Sequence, residues 1–251
     1  MSGHSKWAQI KRAKGANDVK RGQLFTKLGR EISVAAREGG PNPETNARLR
    51  LAIQRAKEAN MPADTIERAI KRGVGGVEAL ALEEIQYEGY GPGGVAILVQ
   101  ALTENRNRTV AEVRAAFVRA GGSLGEAGSV AWQFDPVGVI TLPLNGADPD
   151  DLALKAIDAG AQDFRVDEGS IEIYTAPADL ERVRRVLEEL RLPIESTEMS
   201  MRPKAPIELP PEEAAAVMRL VDRLEELDDV QKVFTNLEIS EAAVAAFESK
   251  R

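Results

Sequence analysis

Between Asp18 and about Glu38, the apolar residues Leu24, Phe25, Leu28, Ile32 and Ala35 recur every three or four positions. That period places them on one face of an α-helix. The spacing predicts a buried helix there, stopped by Gly39 and Gly40. Asn42 followed by Pro43 reads as an N-cap with proline in the first helical position. It opens a second helix in which Ala47, Leu51 and Ala52 face inward while Arg48, Arg55 and Lys57 face solvent. A third helix, from Ala63 to Arg72, follows Met61-Pro62 and ends at Gly73, with Lys71 and Arg72 well placed at the negative end of its dipole.

Past a linker at 73–83 the period drops to two. Ile85–Tyr90 and Val95–Leu102 read as strands around the turn GYGPGG, a hairpin pattern. The GPGG run joins two strands and lacks the Lys-Ser/Thr ending of a phosphate loop, so it reads as a turn, as does GGSLGEAG at 121–128. A helix from Thr109 to Ala120 buries Val110, Val113, Ala116 and Phe117, and a strand is expected over Ser129–Phe134. Strand Val137–Leu144, a helix from Asp148-Pro149 to Ala159, strands Asp163–Val166 and Ile171–Tyr174, helix Pro177–Leu190 and strand Ile194–Met201 follow. That order is βαββαβ, a ferredoxin-like unit.

A last helix, from Pro210-Pro211 to about Leu227, and a strand at Val230–Leu237 have no partner nearby, whereas 84–134 supplies ββαβ and lacks an αβ pair. The simplest completion returns the C-terminal pair to that segment. The expected fold is therefore α+β in three domains. A helical domain spans 1–73, a discontinuous α+β domain spans 84–134 plus 207–240, and a ferredoxin-like domain at 135–206 is inserted in it.

Of the 251 residues 43% are hydrophobic and 29% charged, which fits an ordinary folded chain. Aromatics at 4% leave few stacking platforms and argue against RNA-recognition-motif chemistry. The chain has no cysteine, so disulfides, thiolate nucleophiles and cysteine metal sites are excluded, and a reducing, cytoplasmic setting suits it. The single histidine, His4, has no acid-base partner in view and cannot assemble a zinc site alone. Apolar runs such as Val95–Val99 fall far short of the roughly 20 residues that a membrane helix needs. In MSGHSKWAQIKRAKGAN, Lys6, Lys11, Arg12 and Lys14 interrupt any secretory hydrophobic region. The basic, acid-poor start is like a mitochondrial transit peptide in composition, but the basic character continues past it, favouring a structural arm.

The net charge of −7 hides an uneven division. Residues 1–73 hold sixteen Lys and Arg against seven Asp and Glu, giving +9, and the remaining residues hold 17 against 33, giving −16. Domain-scale positive charge suits a phosphate backbone, from which the acidic remainder is expected to face away. The candidate nucleic-acid contacts are Lys6, Lys11, Arg12, Lys14, Lys20, Arg21, Lys27 and Arg30. Such side chains grip phosphates without reading bases. Trp7 either stacks on a base or packs on the helical domain, the commoner fate. Asn105, Arg106, Asn107 and Arg108 either cap the following helix or offer Arg106 and Arg108 as a secondary contact to RNA or a partner. Asp148, Asp150 and Asp151 are explained by a helix start, and no carboxylate pair or ion site is legible. No catalytic residue, cofactor or metal is expected.

The stretches SGHSKWAQIKRAKGANDVKRGQLFTKLGREISVAAREGG, NARLRLAIQRAKEANMPADTIERAIKRG, YEGYGPGGVAILVQALTENRNRT and GGSLGEAGSVAWQF resemble the YebC/PmpR family. The resemblance implies a helical N-terminal domain followed by two α+β domains, and it brings no catalytic residue. Members are labelled DNA-binding transcriptional regulators, mitochondrial relatives are known as translational activators, and bacterial ones have been linked to ribosome stalling. It therefore implies a nucleic-acid partner, DNA or ribosomal RNA on the ribosome, contacted by the basic residues of the SGHSKWAQIKRAKGANDVKRG segment. An interaction scaffold is the remaining class, in which the basic domain merely pairs with acidic α+β domains of its own chain.

Overall fold

The computed structural model describes the backbone of residues 18–75, 82–167 and 169–249, with side chains from Arg21 onward. The elements open with helices α1 (Asp18–Gly39), α2 (Ala47–Glu58) and α3 (Ala63–Val74). Then come β1 (Glu83–Tyr90), β2 (Ala96–Thr103), α4 (Arg106–Arg119), β3 (Ser123–Leu124) and β4 (Phe134–Pro143). The chain continues through α5 (Pro149–Asp158), β5 (Asp163–Asp167), β6 (Ser170–Thr175), α6 (Leu180–Glu189) and β7 (Ser196–Pro203). It closes with α7 (Pro211–Glu225), β8 (Val230–Thr235) and α8 (Glu241–Ser249).

Helix α1 buries Leu28, Ile32, Ala35 and Ala36 against Leu49, Ala52 and Ala56 of α2 and Ile66 and Ala69 of α3. Leu24, expected on that face, is exposed, and Phe25 is half-buried. The α2 cap is Asn46, not Asn42. Asn46 Oδ1 accepts from Leu49 N at 3.0 Å while its Nδ2 donates to Ala35 O at 2.7 Å and Gly40 O at 2.8 Å. One buried amide thus closes the end of α1 and the start of α2. Asn42 instead accepts from Glu44 N at 2.9 Å and shapes the preceding turn. Gly73 lies inside α3 rather than ending it. A Cβ there would stand 2.2 Å from Ser33 O, so the residue is a close-approach point between α1 and α3.

The first sheet has the order β3-β1-β2-β8, the second β5-β6-β4-β7, and every pairing in both is antiparallel. Strand β8, which follows all four strands of the second sheet in the sequence, pairs with β2 of the first, so the third domain is inserted in the second. The inserted domain has the ferredoxin-like order, with Ile140, Leu142, Ile171 and Ile173 packed under Leu152 and Ala156 of α5 and Val183 and Leu187 of α6. The first sheet uses the same layout with a different connection. Its two central strands are hairpin neighbours, where those of the inserted domain are separated by a helix and an edge strand.

Two differences from expectation fall in the first sheet. Its third strand is the short β3, inside GGSLGEAG, and of the strand expected over Ser129–Phe134 only Phe134, which opens β4, is in a ladder: Ala131–Gln133 forms a 3-10 turn. The cause is Glu88, whose buried carboxylate accepts from Gly128 N, Val130 N and Ala131 N at 2.8, 2.8 and 2.7 Å. Backbone donors held by a carboxylate are lost to a sheet. The terminal α8, absent from the periodicity reading, buries Ala243 and Phe247 in the core formed by Ile97, Val113, Phe117 and α7.

Candidate nucleic-acid interface

Helix α1 turns one face toward the first sheet's domain. Lys27 Nζ donates to Glu225 O at 2.5 Å, at the C-terminal, electronegative end of α7. Arg30 Nη1 donates to Asp228 O at 2.7 Å and Asp229 Oδ1 at 3.0 Å. Arg37 donates to Leu82 O at 2.8 Å, and Val34 packs against Leu82 and Leu102. Two of the eight residues expected on phosphate, Lys27 and Arg30, therefore clamp the helical domain to its neighbour.

Asp229 is the centre of that clamp. Its side chain is 1% exposed, and its Oδ2 accepts from Arg108 Nη2 at 2.7 Å and lies 2.7 and 3.1 Å from the Thr109 and Thr103 hydroxyls. Burial alone would raise its pKa, but the hydrogen bonds of Arg108, Thr109 and Thr103 outweigh burial and hold the carboxyl below its ordinary value. Asn105 caps α4 by accepting from Arg108 N at 3.0 Å, so residues 106–108 are the first helical turn rather than a free loop. Arg108 points to Asp229, while Arg106 stays at the rim, 3.6 Å from Glu83.

The acidic domains do not face away from the basic one. Arg30 pairs with Asp229, Arg48 with Glu84 as well as Glu38, and Arg50 with Glu181 of the inserted domain. Arg48 and Arg55, expected free in solvent, are both paired, Arg55 with Glu31 at 2.7 Å. Lys57 is exposed as expected.

A different surface stays cationic. Arg21 lies over the Phe25 ring, 5.4 Å from its centroid. Beside it, a groove of about 350 Å³ runs between α1 and α3, with Phe25 and Met61 as apolar lining, Arg30, Arg68 and Arg72 as cations and Glu104 as its acid. Exposed Lys57, Lys71 and Arg72 have no hydrogen-bond or ion-pair partner among the described residues. Arg68 and Arg72 were not among the residues singled out as contacts, although their i, i+4 spacing puts them on one face of α3. Lys6, Lys11, Arg12 and Lys14, with His4 and Trp7, lie outside the described residues, as does the side chain of Lys20. Among the described residues no acidic or histidine cluster is able to hold a metal ion, and no helix is long and apolar enough to cross a membrane.

The family model described as the TACO1/YebC protein N-terminal domain matches residues 5–76, and that of the TACO1/YebC second and third domain matches residues 82–237. The chain belongs to the TACO1/YebC family. A relative from Dehalococcoides mccartyi (strain CBDB1), named "Probable transcriptional regulatory protein", is 56% identical over 250 residues, covering 100% of both chains. One of the same name from Chloroflexus aggregans is 54% identical over 252 residues, covering 99% of this chain and 100% of the relative. The crystal structure of a conserved hypothetical protein from Aquifex aeolicus superposes with a TM-score of 0.83 at 49% identity, covering 89% of this chain and 93% of the other. The boundary between the two TACO1/YebC models falls between α3 and β1, where the chain passes from helices to sheet.

Proposed function

We propose that this TACO1/YebC member regulates gene expression in the cytoplasm by binding nucleic acid through its N-terminal domain, acting by association and without catalysis, cofactor or metal. The observation that carries the reading is the cationic surface that remains after docking. Arg30, Arg48 and Arg50 are taken up by acids of the other domains, yet among the described residues Lys57, Lys71 and Arg72 keep no partner and Arg21 has only an aromatic one. Lys6, Lys11, Arg12, Lys14, Lys20 and Arg21 make the phosphate contacts. Lys27, Arg30 and Arg108 position the domain, and Arg106 adds a secondary contact at the rim. The names of the relatives support a regulatory role and the DNA route.

Ribosomal RNA is the second reading. It is favoured by a cationic surface of the phosphate-gripping kind on a domain clamped to two others, an arrangement suited to structured RNA held by shape and charge. Reversing Lys11, Arg12 and Lys14 to Glu is expected to abolish binding to either polymer without unfolding the chain, as checked by gel shift and circular dichroism. Undiminished binding would remove the N-terminal arm from the interface. Crosslinking in living cells, with sequencing of the attached DNA and RNA, then separates the routes. Discrete promoter peaks support the transcriptional reading, and enriched ribosomal RNA positions the translational one.

A further inference from the structure

We propose that the groove between α1 and α3 receives one unstacked nucleotide of a single-stranded nucleic acid, its base against Phe25 and its phosphates at Arg68 and Arg72. The inference rests on the nucleic-acid reading above and specifies which form of the polymer is bound and where. A groove of about 350 Å³ lies within the range of clefts that take a nucleotide-sized ligand, about 300–1,000 Å³. Its lining is of two kinds. Phe25 and Met61 offer an apolar surface, and Arg68 and Arg72 stand one helical turn apart on α3.

Two of the three cations lining this groove, Arg68 and Arg72, are available. Arg72 has no partner among the described residues, and the Arg68 pairing with Asp64, at 2.8 Å, joins two largely exposed side chains and holds Arg68 only weakly. Arg30 is fixed by Asp229, so that wall is rigid before anything binds. Arg21 already lies over the Phe25 ring, showing that the ring presents a face to a planar, electron-poor group. Bases in a duplex show only their edges, whereas a single strand can splay a base onto an aromatic platform. A concave site with one aromatic ring therefore selects the single strand. Glu104, also in the lining, disfavours a second phosphate there.

The test uses the full chain and a short oligonucleotide carrying 2-aminopurine, as a single strand and as the matching duplex, each in ribo and deoxyribo form. The wild-type chain is expected to bind the single strand more tightly and to quench its 2-aminopurine. Phe25→Leu, which keeps an apolar side chain, should weaken single-strand binding by about five- to hundredfold, the size of one base–aromatic stack, and abolish the quenching. Arg72→Glu, an exposed change that leaves the fold intact, should weaken it about tenfold and flatten its salt dependence. Tighter binding of the ribo form identifies RNA as the source, and of the deoxyribo form, DNA. Wild-type binding that neither variant alters, equal affinity for the duplex, or displacement by a polyglutamate peptide would overturn the groove while leaving the parent reading in place. Failure of the wild-type chain to bind any nucleic acid would overturn both.

Discussion

A methyl group at Gly73 would stand 2.2 Å from Ser33 O and 3.0 Å from the Cβ of Ala36, so α1 and α3 approach as closely as they do only because that position is bare. Ser33 uses the closeness, its hydroxyl lying 2.8 Å from Ala69 O and 2.9 Å from Gly29 O. Gly73→Ala must push the helices apart, and the expected loss is roughly 1–3 kcal/mol, the usual cost of overpacking, measured by urea unfolding. Asn46 gives a second test. Asn46→Asp keeps the acceptor for Leu49 N but replaces a donor facing Ala35 O and Gly40 O with a carboxylate, so it should destabilise although aspartate is a good cap. A stability equal to wild type would mean that the cap alone matters. The sequence reading makes Gly73 a helix stop and places the cap at Asn42, passing over Asn46. Glycine after a helical run reads as a stop, and Asn-Pro reads as a cap. Only the arrival of a second helix makes one a contact and hands the cap to a neighbour four residues on.

The loop before β4 shows the same limit at the level of an element. Ser129–Phe134 alternates in the manner of a strand, but its donors belong to Glu88, forty and more residues earlier, and that capture is invisible to local pattern. Strand β3 is two residues long, too short to alternate, and α8 is rich in alanine, with only Ala243 and Phe247 buried. What periodicity did carry was the longer elements and their count, and the count was enough to expect an insertion because one segment lacked the αβ pair that the C-terminus supplied. The Glu88 loop is also pH-sensitive. Burial would raise its pKa, yet the N–H groups of Gly128, Val130 and Ala131, with the Gln86 side chain, bring it below the ordinary value. A carboxylate depressed on folding stabilises fully above its unfolded pKa, about 4.3, and loses that contribution as pH falls through the lower folded value. Hydrogen exchange at Gly128, Val130 and Ala131 should accelerate in that acid window before the core does, and Glu88→Gln should produce the same acceleration at neutral pH. Unchanged protection in the variant would show that the loop is held by its packing instead.

In the whole molecule, one set of charges holds the domains together and another stays at the surface, and salt should tell them apart. The Asp229 carboxylate, 1% exposed, is reached by Arg30 and the half-exposed Arg108 from two domains, and a carboxylate so little hydrated is screened less than a surface charge. Phosphate contacts at Arg21, Arg72 and the N-terminal arm would be made at the surface and would lose affinity steeply as salt rises. Asp229→Asn leaves Arg30 and Arg108 facing a neutral group. It is expected to cost about 1–3 kcal/mol, the scale of hydrogen bonds to a charged group, because the two cations left behind keep access to water, and to enlarge the scattering radius as the helical domain comes loose. The wild-type chain should do the same only in acid. The Asp229 pKa is depressed on folding, so its contribution is complete above the unfolded value of about 3.9 and is lost as pH falls from there through the lower folded value. At neutral pH, raising salt to about 0.5 M should therefore release nucleic acid while the scattering profile stays compact, because a Debye length below about 10 Å screens exposed charges and leaves buried ones coupled. If compactness and binding were instead lost together, the basic domain's charges would serve chiefly to hold it to its acidic neighbours, and the protein would act as an interaction scaffold whose nucleic-acid binding follows from that docking.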